Sequence, residues 1–160
     1  MCQTKTRIED YYEVIRDRLT FRIPSDIGLV TEALDTATEF VKKYGFPETA
    51  APILVLRELL VNAITHGNKN DLQKRVIARF QYLGGNTFRI AVEDEGEGFF
   101  LSISRRRHTW RNVSESGTGY KLINRLSEHI TFEKNGARVI AHVTVSAEDI
   151  LKPIIRSSSG

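Results

Sequence analysis

The chain has 160 residues, 41% hydrophobic and 27% charged, with a formal net charge of +3 and an isoelectric point near 9.1. This length suits one two-layer domain, the composition is that of a soluble globular protein, and no long apolar run or signal-peptide pattern opens the chain, which points to the cytoplasm rather than a membrane. The single cysteine, Cys2, excludes an internal disulfide and a cysteine-based metal site, and apart from Arg105 to His108 the basic residues are dispersed, without the aromatic-plus-basic platform of a nucleic-acid binder.

Residues Lys5 to Arg18 place Ile8, Tyr11, Tyr12 and Ile15 at helical spacing and predict an N-terminal helix within residues 1–18; "LTFRIPS" then alternates like a strand running into Pro24. Ser25 or Asp26 can cap a long amphipathic helix in which Ile27, Val30, Leu34, Ala37, Phe40, Val41 and Tyr44 recur every three or four residues, closed by Gly45. Pro47 is read as the start of the next helix, whose body is "LRELLVNAITHGN". After "HGNKND", the runs "RVIARFQYL" and "TFRIAVEDE" alternate across "GGN" and predict a hairpin. Residues 96–119 hold four glycines and no sustained period, the length of a functional lid. "YKLINRLSE" returns to helical spacing, "HITFEK" and "ARVIAHVTV" form a second hairpin across Asn135-Gly136, and residues 151–160 are a flexible tail. The order predicts an α+β fold, a two-layer sandwich of a mixed, mostly antiparallel sheet covered on one face by helices.

Three stretches carry chemistry. Glu58 and Asn62 are four apart on an otherwise apolar helix and share a face, with Thr65 and His66 one turn on. An unpartnered carboxylate and amide facing a dry core would each cost about 2 kcal/mol, so they face a cavity or a ligand, or else bond neighbouring backbone at the helix rim. The amide oxygen of Asn62 is a hard ligand suited to Mg²⁺, and Glu58 is a base within reach of what that metal holds. In "VEDEGEGFF" a strand stops in Asp94-x-Gly96-x-Gly98, where bare backbone approaches a ligand and the carboxylate accepts from a donor such as an exocyclic amine; alone, it is equally a solvated turn. In "SGTGYKL", Gly117, Thr118 and Gly119 precede a helix whose free N–H groups favour phosphate, although Ser116 or Thr118 could simply cap it.

In this order, with a lid between the last two, the three stretches resemble the nucleotide-binding boxes of the GHKL ATPase superfamily, which includes gyrase, Hsp90, histidine kinases and MutL. "ELLVNAITHGN" in a short chain looks most like the anti-sigma-factor serine/threonine kinases of bacterial partner-switching pathways, and the likeness runs from about "LTFRIPSD" to "VIAHVTV". The resemblance implies a Bergerat-type ATP-binding fold, with an N-terminal helix at 1–18, a kinase domain at 19–150 and a tail at 151–160. It implies ATP/ADP and Mg²⁺ as cofactors, Glu58 as general base, Asn62 as Mg²⁺ ligand, and Asp94 on the adenine amine, with Gly96 and Gly98 shaping that turn. Gly117, Thr118 and Gly119 wrap the phosphates. The implied protein is a homodimer that sequesters a sigma factor and phosphorylates a small antagonist protein, with no direct contact to nucleic acid.

The chain departs from that pattern twice. Related serine kinases place an arginine just before the phosphate-binding glycines, where this chain has Ser114-Glu115-Ser116, and a threonine after the glycine of the late hairpin, where it has Ala137. The departures motivate an alternative, a nucleotide-loaded binding switch with little or no kinase turnover. The face of Ile8, Tyr11, Tyr12 and Ile15 is either a dimer interface or docks on the chain's own sheet. His66 is read as a capping or loop-bonding residue rather than a metal ligand, and Trp110 as lid packing.

Overall fold

The computed structural model describes residues 7–48, 50–97 and 118–146, the last segment by its backbone alone over 118–120. A turn of 3-10 helix at Ile8–Tyr11 leads into β1 (Tyr12–Ile15) and β2 (Arg18–Pro24). A short 3-10 turn then opens α1 (Val30–Lys42), and α2 (Ala51–Asn62) runs on into a π-helical turn at Ala63–Gly67. Next come the hairpin β3 (Arg75–Gly84) and β4 (Thr87–Glu93), then α3 (Thr118–Leu126), and last the hairpin β5 (His129–Glu133) and β6 (Arg138–Thr144). The strands form one sheet in the order β1-β2-β3-β4-β6-β5, every neighbouring pair antiparallel. The expected sandwich is present, but its sheet is not mixed. No helix among the described residues is long and apolar enough to cross a membrane.

Period-two alternation sets which face of the sheet is dry. Leu19, Phe21 and Ile23 on β2, Val76, Ala78 and Phe80 on β3, Phe88, Ile90 and Val92 on β4, and Val139, Ala141 and Val143 on β6 all join the main core. The helices pack on this face. α1 contributes Val30, Ala33, Ala37, Phe40 and Val41, and Phe40 meets Phe80 edge-on with ring centroids 5.9 Å apart. α2 is buried through Ala51, Pro52, Ile53, Val55, Leu56, Leu59 and Leu60, because it lies between α1, α3 and strands β3, β4 and β6. That position explains an almost wholly apolar helix carrying a polar stripe.

Two expectations are corrected. The N-terminal helix does not form beyond Tyr11: Tyr12 to Ile15 pair with β2 in the register Tyr12↔Phe21 to Ile15↔Arg18, across a turn in which Arg16 has φ +53°. Ile8, Tyr11 and Tyr12 pack against the core while Ile15 is 50% exposed, so sheet pairing of the β-branched Val14 and Ile15 overrides the helical spacing. Nor does Pro47 start a helix. The following helix begins at Ala51 with Pro52 in its first turn, and Phe46, ahead of it, packs its ring 5.3 Å from Phe88. Other signals hold: the Asp26 carboxylate accepts the Gly28 N–H at 2.9 Å, and Gly45 adopts φ +85° after α1.

Candidate functional site

Between α2 and the dry face of β4 and β6 lies a cavity of about 320 Å³, within the range of small-molecule sites. Leu59 and Ala63 on the helix side and Val92 and Val139 on the sheet side supply its apolar lining. Asn62, His66, Lys69, Lys74, Asp94 and Glu97 supply the polar lining, and Gly67, Gly96 and Gly136 bring bare backbone to it.

The Asp94 end is built most tightly. The Asp94 N–H donates to the Ala137 carbonyl at 2.9 Å, and its Oδ1 accepts the Gly96 N–H at 2.8 Å. A Cβ added to Gly67 would lie 2.3 Å from Asp94 Oδ2, and one on Gly96 would lie 2.2 Å from the Gly67 carbonyl oxygen. Glycine is therefore required at both positions for the end of the helix to close on the turn after β4. Burial pushes the Asp94 carboxyl above its ordinary value; the Gly96 hydrogen bond and the Lys74 charge pull the other way, and Glu93 adds to the rise. A half-desolvated carboxylate of this kind is an acceptor for a donor that a ligand brings.

Asn68 ties the corner together. It is 1% exposed; its Oδ1 accepts the Glu95 N–H at 2.8 Å, and its Nδ2 donates to Ser25 Oγ at 2.8 Å and to the Arg75 carbonyl at 2.9 Å. Ser25 Oγ in turn donates to the Lys74 carbonyl at 2.7 Å. One amide thus links the end of β2, the start of β3, the turn after β4 and the end of the helix.

Asn62 lines the cavity, and its Nδ2 is buried with no hydrogen-bond partner among the described residues. Such an orphan costs about 1–3 kcal/mol unless a water or a ligand satisfies it. Glu58 is one turn earlier on the same helix and half-buried, but it is not among the lining residues. Thr65 turns back to the Val61 carbonyl at 2.6 Å. Thr118 and Gly119 open α3, whereas Gly98 and Gly117, with Glu115, Trp110 and the expected lid, lie outside the described residues.

The structure thus brings Asn62, Asp94 and Gly96 to one cavity and leaves Glu58 at its margin. Sequence reasoning missed Gly67, Asn68, Lys69, Lys74 and Gly136. The glycine of "HGN" could have been suspected as a close-approach position, but no spacing pointed to the two lysines. Gly96 gives the Asp94 carboxylate the one hydrogen bond present among the described residues, and Ala137 meets Asp94 through its backbone carbonyl.

These residues fit a purine nucleotide and a magnesium ion at the points they describe. The cavity would take a planar base, whose exocyclic amine Asp94 could accept from, and Asn62 lines the same cavity with its side-chain amide. No group of three His, Cys, Asp or Glu side chains able to hold a metal exists among the described residues; Mg²⁺ usually keeps several waters and substrate phosphates as ligands, and the Asn62 amide oxygen is the protein group that would hold it here. When bound, the ion would neutralise charge on the phosphates. What the chain itself would supply is orientation: Asp94 and the apolar walls to fix a base, and the Asn62 amide on a buried helix.

The cavity thus sits between the central helix and the sheet of a two-layer antiparallel α+β sandwich. The family model described as histidine kinase-like ATPase domain matches residues 23–143, and the chain belongs to that family. Binding of ATP or ADP, typically with Mg²⁺, goes with membership of that family. Among solved structures, the chain is similar to the histidine kinase domain of the blue-light activated histidine kinase from Erythrobacter litoralis EL346, at 21% identity and a TM-score of 0.44. That match covers 66% of this chain and 47% of the solved one. No curated protein matches significantly.

Proposed function

We propose that this domain is an ATP- and Mg²⁺-dependent serine/threonine protein kinase that also acts as an anti-sigma factor, holding a sigma factor and phosphorylating a small antagonist protein in the cytoplasm. The observation that carries the reading is the convergence of Asn62 and Asp94 on one cavity, with Glu58 one turn before Asn62 on the same helix. Serine specificity and the partners rest on the likeness of "ELLVNAITHGN" to anti-sigma-factor kinases.

Calorimetry of ATP with and without Mg²⁺, on wild type and Asn62→Ala, followed by radiolabelled phosphate transfer to a co-encoded single-domain protein, tests it. Mg²⁺-dependent binding lost in the variant, with label on a serine or threonine, is the expected result. Absence of any binding would remove the whole reading.

A second reading, a nucleotide-loaded switch with little turnover, is favoured by two observations: Glu58 does not line the cavity, and Ala137 offers Asp94 no hydroxyl. It expects tight binding of ADP or ATP and no transfer, with partner capture depending on which nucleotide is bound.

A further inference from the structure

The face of the sheet turned away from the helices carries a charge pattern that the nucleotide site does not use. Cross-strand pairing places Arg18, Gln81 and Arg89 in one row over β2, β3 and β4, and Arg79 in the next row between Thr20 and Ala91. These positions alternate with the core residues Leu19, Phe80, Ile90 and Ala78, so all three arginines belong to the face turned away from the helices, Arg18 exposed and Arg79 and Arg89 half-buried.

The carboxylates on that face are already engaged: Glu13 with Arg22 at 3.4 Å, Glu133 with Arg138 at 3.1 Å, and Glu93 with Lys134. Arg18, Arg79 and Arg89 have no acidic partner among the described residues. Three uncompensated guanidinium groups therefore stand together on a rigid sheet.

We infer that this arginine triangle is a docking surface for an acidic helix of a protein partner, separate from the nucleotide cavity on the opposite face. Two strand spacings put Arg18 and Arg89 about 10 Å apart. Carboxylates at positions i and i+7 of a helix are separated by about 10.5 Å along its axis, and one at i+3 or i+4 falls between them, where Arg79 stands. Arginine is also the cation most enriched at protein interfaces, since its planar fork binds carboxylates in bidentate fashion. A second copy of this chain is a poor occupant, because like arginines would face each other. A single-stranded nucleic acid is disfavoured because the face carries no Phe, Tyr or Trp among the described residues, leaving only the rings of His129 and His142 beside Arg89 for a base to stack on.

The test is an NMR titration of the ¹⁵N-labelled protein with a synthetic alanine-based helical peptide carrying Glu at i, i+3 and i+7, beside the same peptide with Gln at those positions. Salt-sensitive shifts confined to β2, β3 and β4, produced by the Glu peptide alone, are expected. Affinity should fall about 10-fold or more in the triple variant R18E/R79E/R89E. It should be unchanged in R57E/R125E, which reverses two exposed arginines on the helical layer. Should the reversal prevent folding, the uncharged variant R18Q/R79Q/R89Q takes its place, with the same loss of affinity expected. Shifts spread over the molecule, equal weakening by R57E/R125E, no response to the peptide, or stronger binding of single-stranded or duplex DNA at the same residues would each overturn the inference. Calorimetric ATP binding by the triple variant reports the cavity independently.

Discussion

Gly67 and Asp94 touch backbone to carboxylate: a β-carbon on Gly67 would lie 2.3 Å from Asp94 Oδ2 and 2.4 Å from Cγ. Gly67 is not in the left-handed region, so alanine is allowed by its backbone and the conflict is purely one of space. Gly67→Ala should therefore turn the Asp94 carboxylate out of place. The expected outcome is a loss of about 10-fold or more in affinity for a fluorescent ADP analogue, with destabilisation of about 1–3 kcal/mol from overpacking. Fluorescence titration and urea unfolding on the same samples separate the two, and unchanged affinity would show that Asp94 does not orient the base.

Asn68 is the side chain on which the corner depends. Asn68→Ala strands the Glu95 N–H and the Arg75 carbonyl, and a loss of about 2–4 kcal/mol in urea unfolding is expected. Asn68→Asp keeps the acceptor for Glu95 but loses both donations, so it should recover only part of that stability. Full recovery by aspartate would mean that the contacts to Ser25 and Arg75 carry no weight.

Asp94 gives a pH signature. Its pKa is raised in the folded protein above the ordinary 3.8, so the protonated form favours folding. That contribution is complete below 3.8 and is lost as pH climbs through the raised value, which leaves the ionised carboxylate opposing folding at neutral pH. Asp94→Asn should accordingly be more stable than wild type at pH 7, the difference shrinking as pH falls toward 3.8, while adenine nucleotide binding is lost. Urea midpoints across acid and neutral pH would contradict this if the variant were the weaker protein at pH 7.

Asn62 should show the opposite profile from Asn68. Its Nδ2 has no partner to lose among the described residues, and alanine is the better helix former, so Asn62→Ala should keep apo stability within about 1 kcal/mol of wild type. A large loss of stability would recast Asn62 as a structural residue rather than a ligand.

Much of this was legible in the sequence. The alternation of Leu19, Phe21 and Ile23 and the three-to-four spacing from Val30 to Val41 fix both face and element, because long periodic segments bury one side only. The strand Tyr12–Ile15 was not legible, since over four residues the spacing of Ile8, Tyr11, Tyr12 and Ile15 suits a helix equally well and only pairing with β2 decides. In the site, Asn62, Asp94 and Gly96 stood out as polar or bare positions in apolar surroundings. Lys69 and Lys74 did not, because a lysine in a polar loop looks alike whether it meets solvent or a cavity. The arginine triangle shows the same limit: each arginine sits visibly at an outward position, but that Arg18 and Arg89 share a row depends on which strands are neighbours.

The π-helical turn at Ala63–Gly67 has one more consequence. The Asn68 N–H reaches back five residues to the Ala63 carbonyl at 2.8 Å, so the helix holds one residue more than an α-helical turn would. Such a bulge is equivalent to a single insertion in an ancestral α-helix. Removing one residue from that turn would let the helix close in ordinary phase, rotating whatever follows by about 100°. Gly67 and Asn68 would then both be carried away from Asp94 and Glu95. The distance along the chain between Asn62 and Gly67 is thus part of the binding site, and a one-residue deletion there should be more damaging than any of the point substitutions.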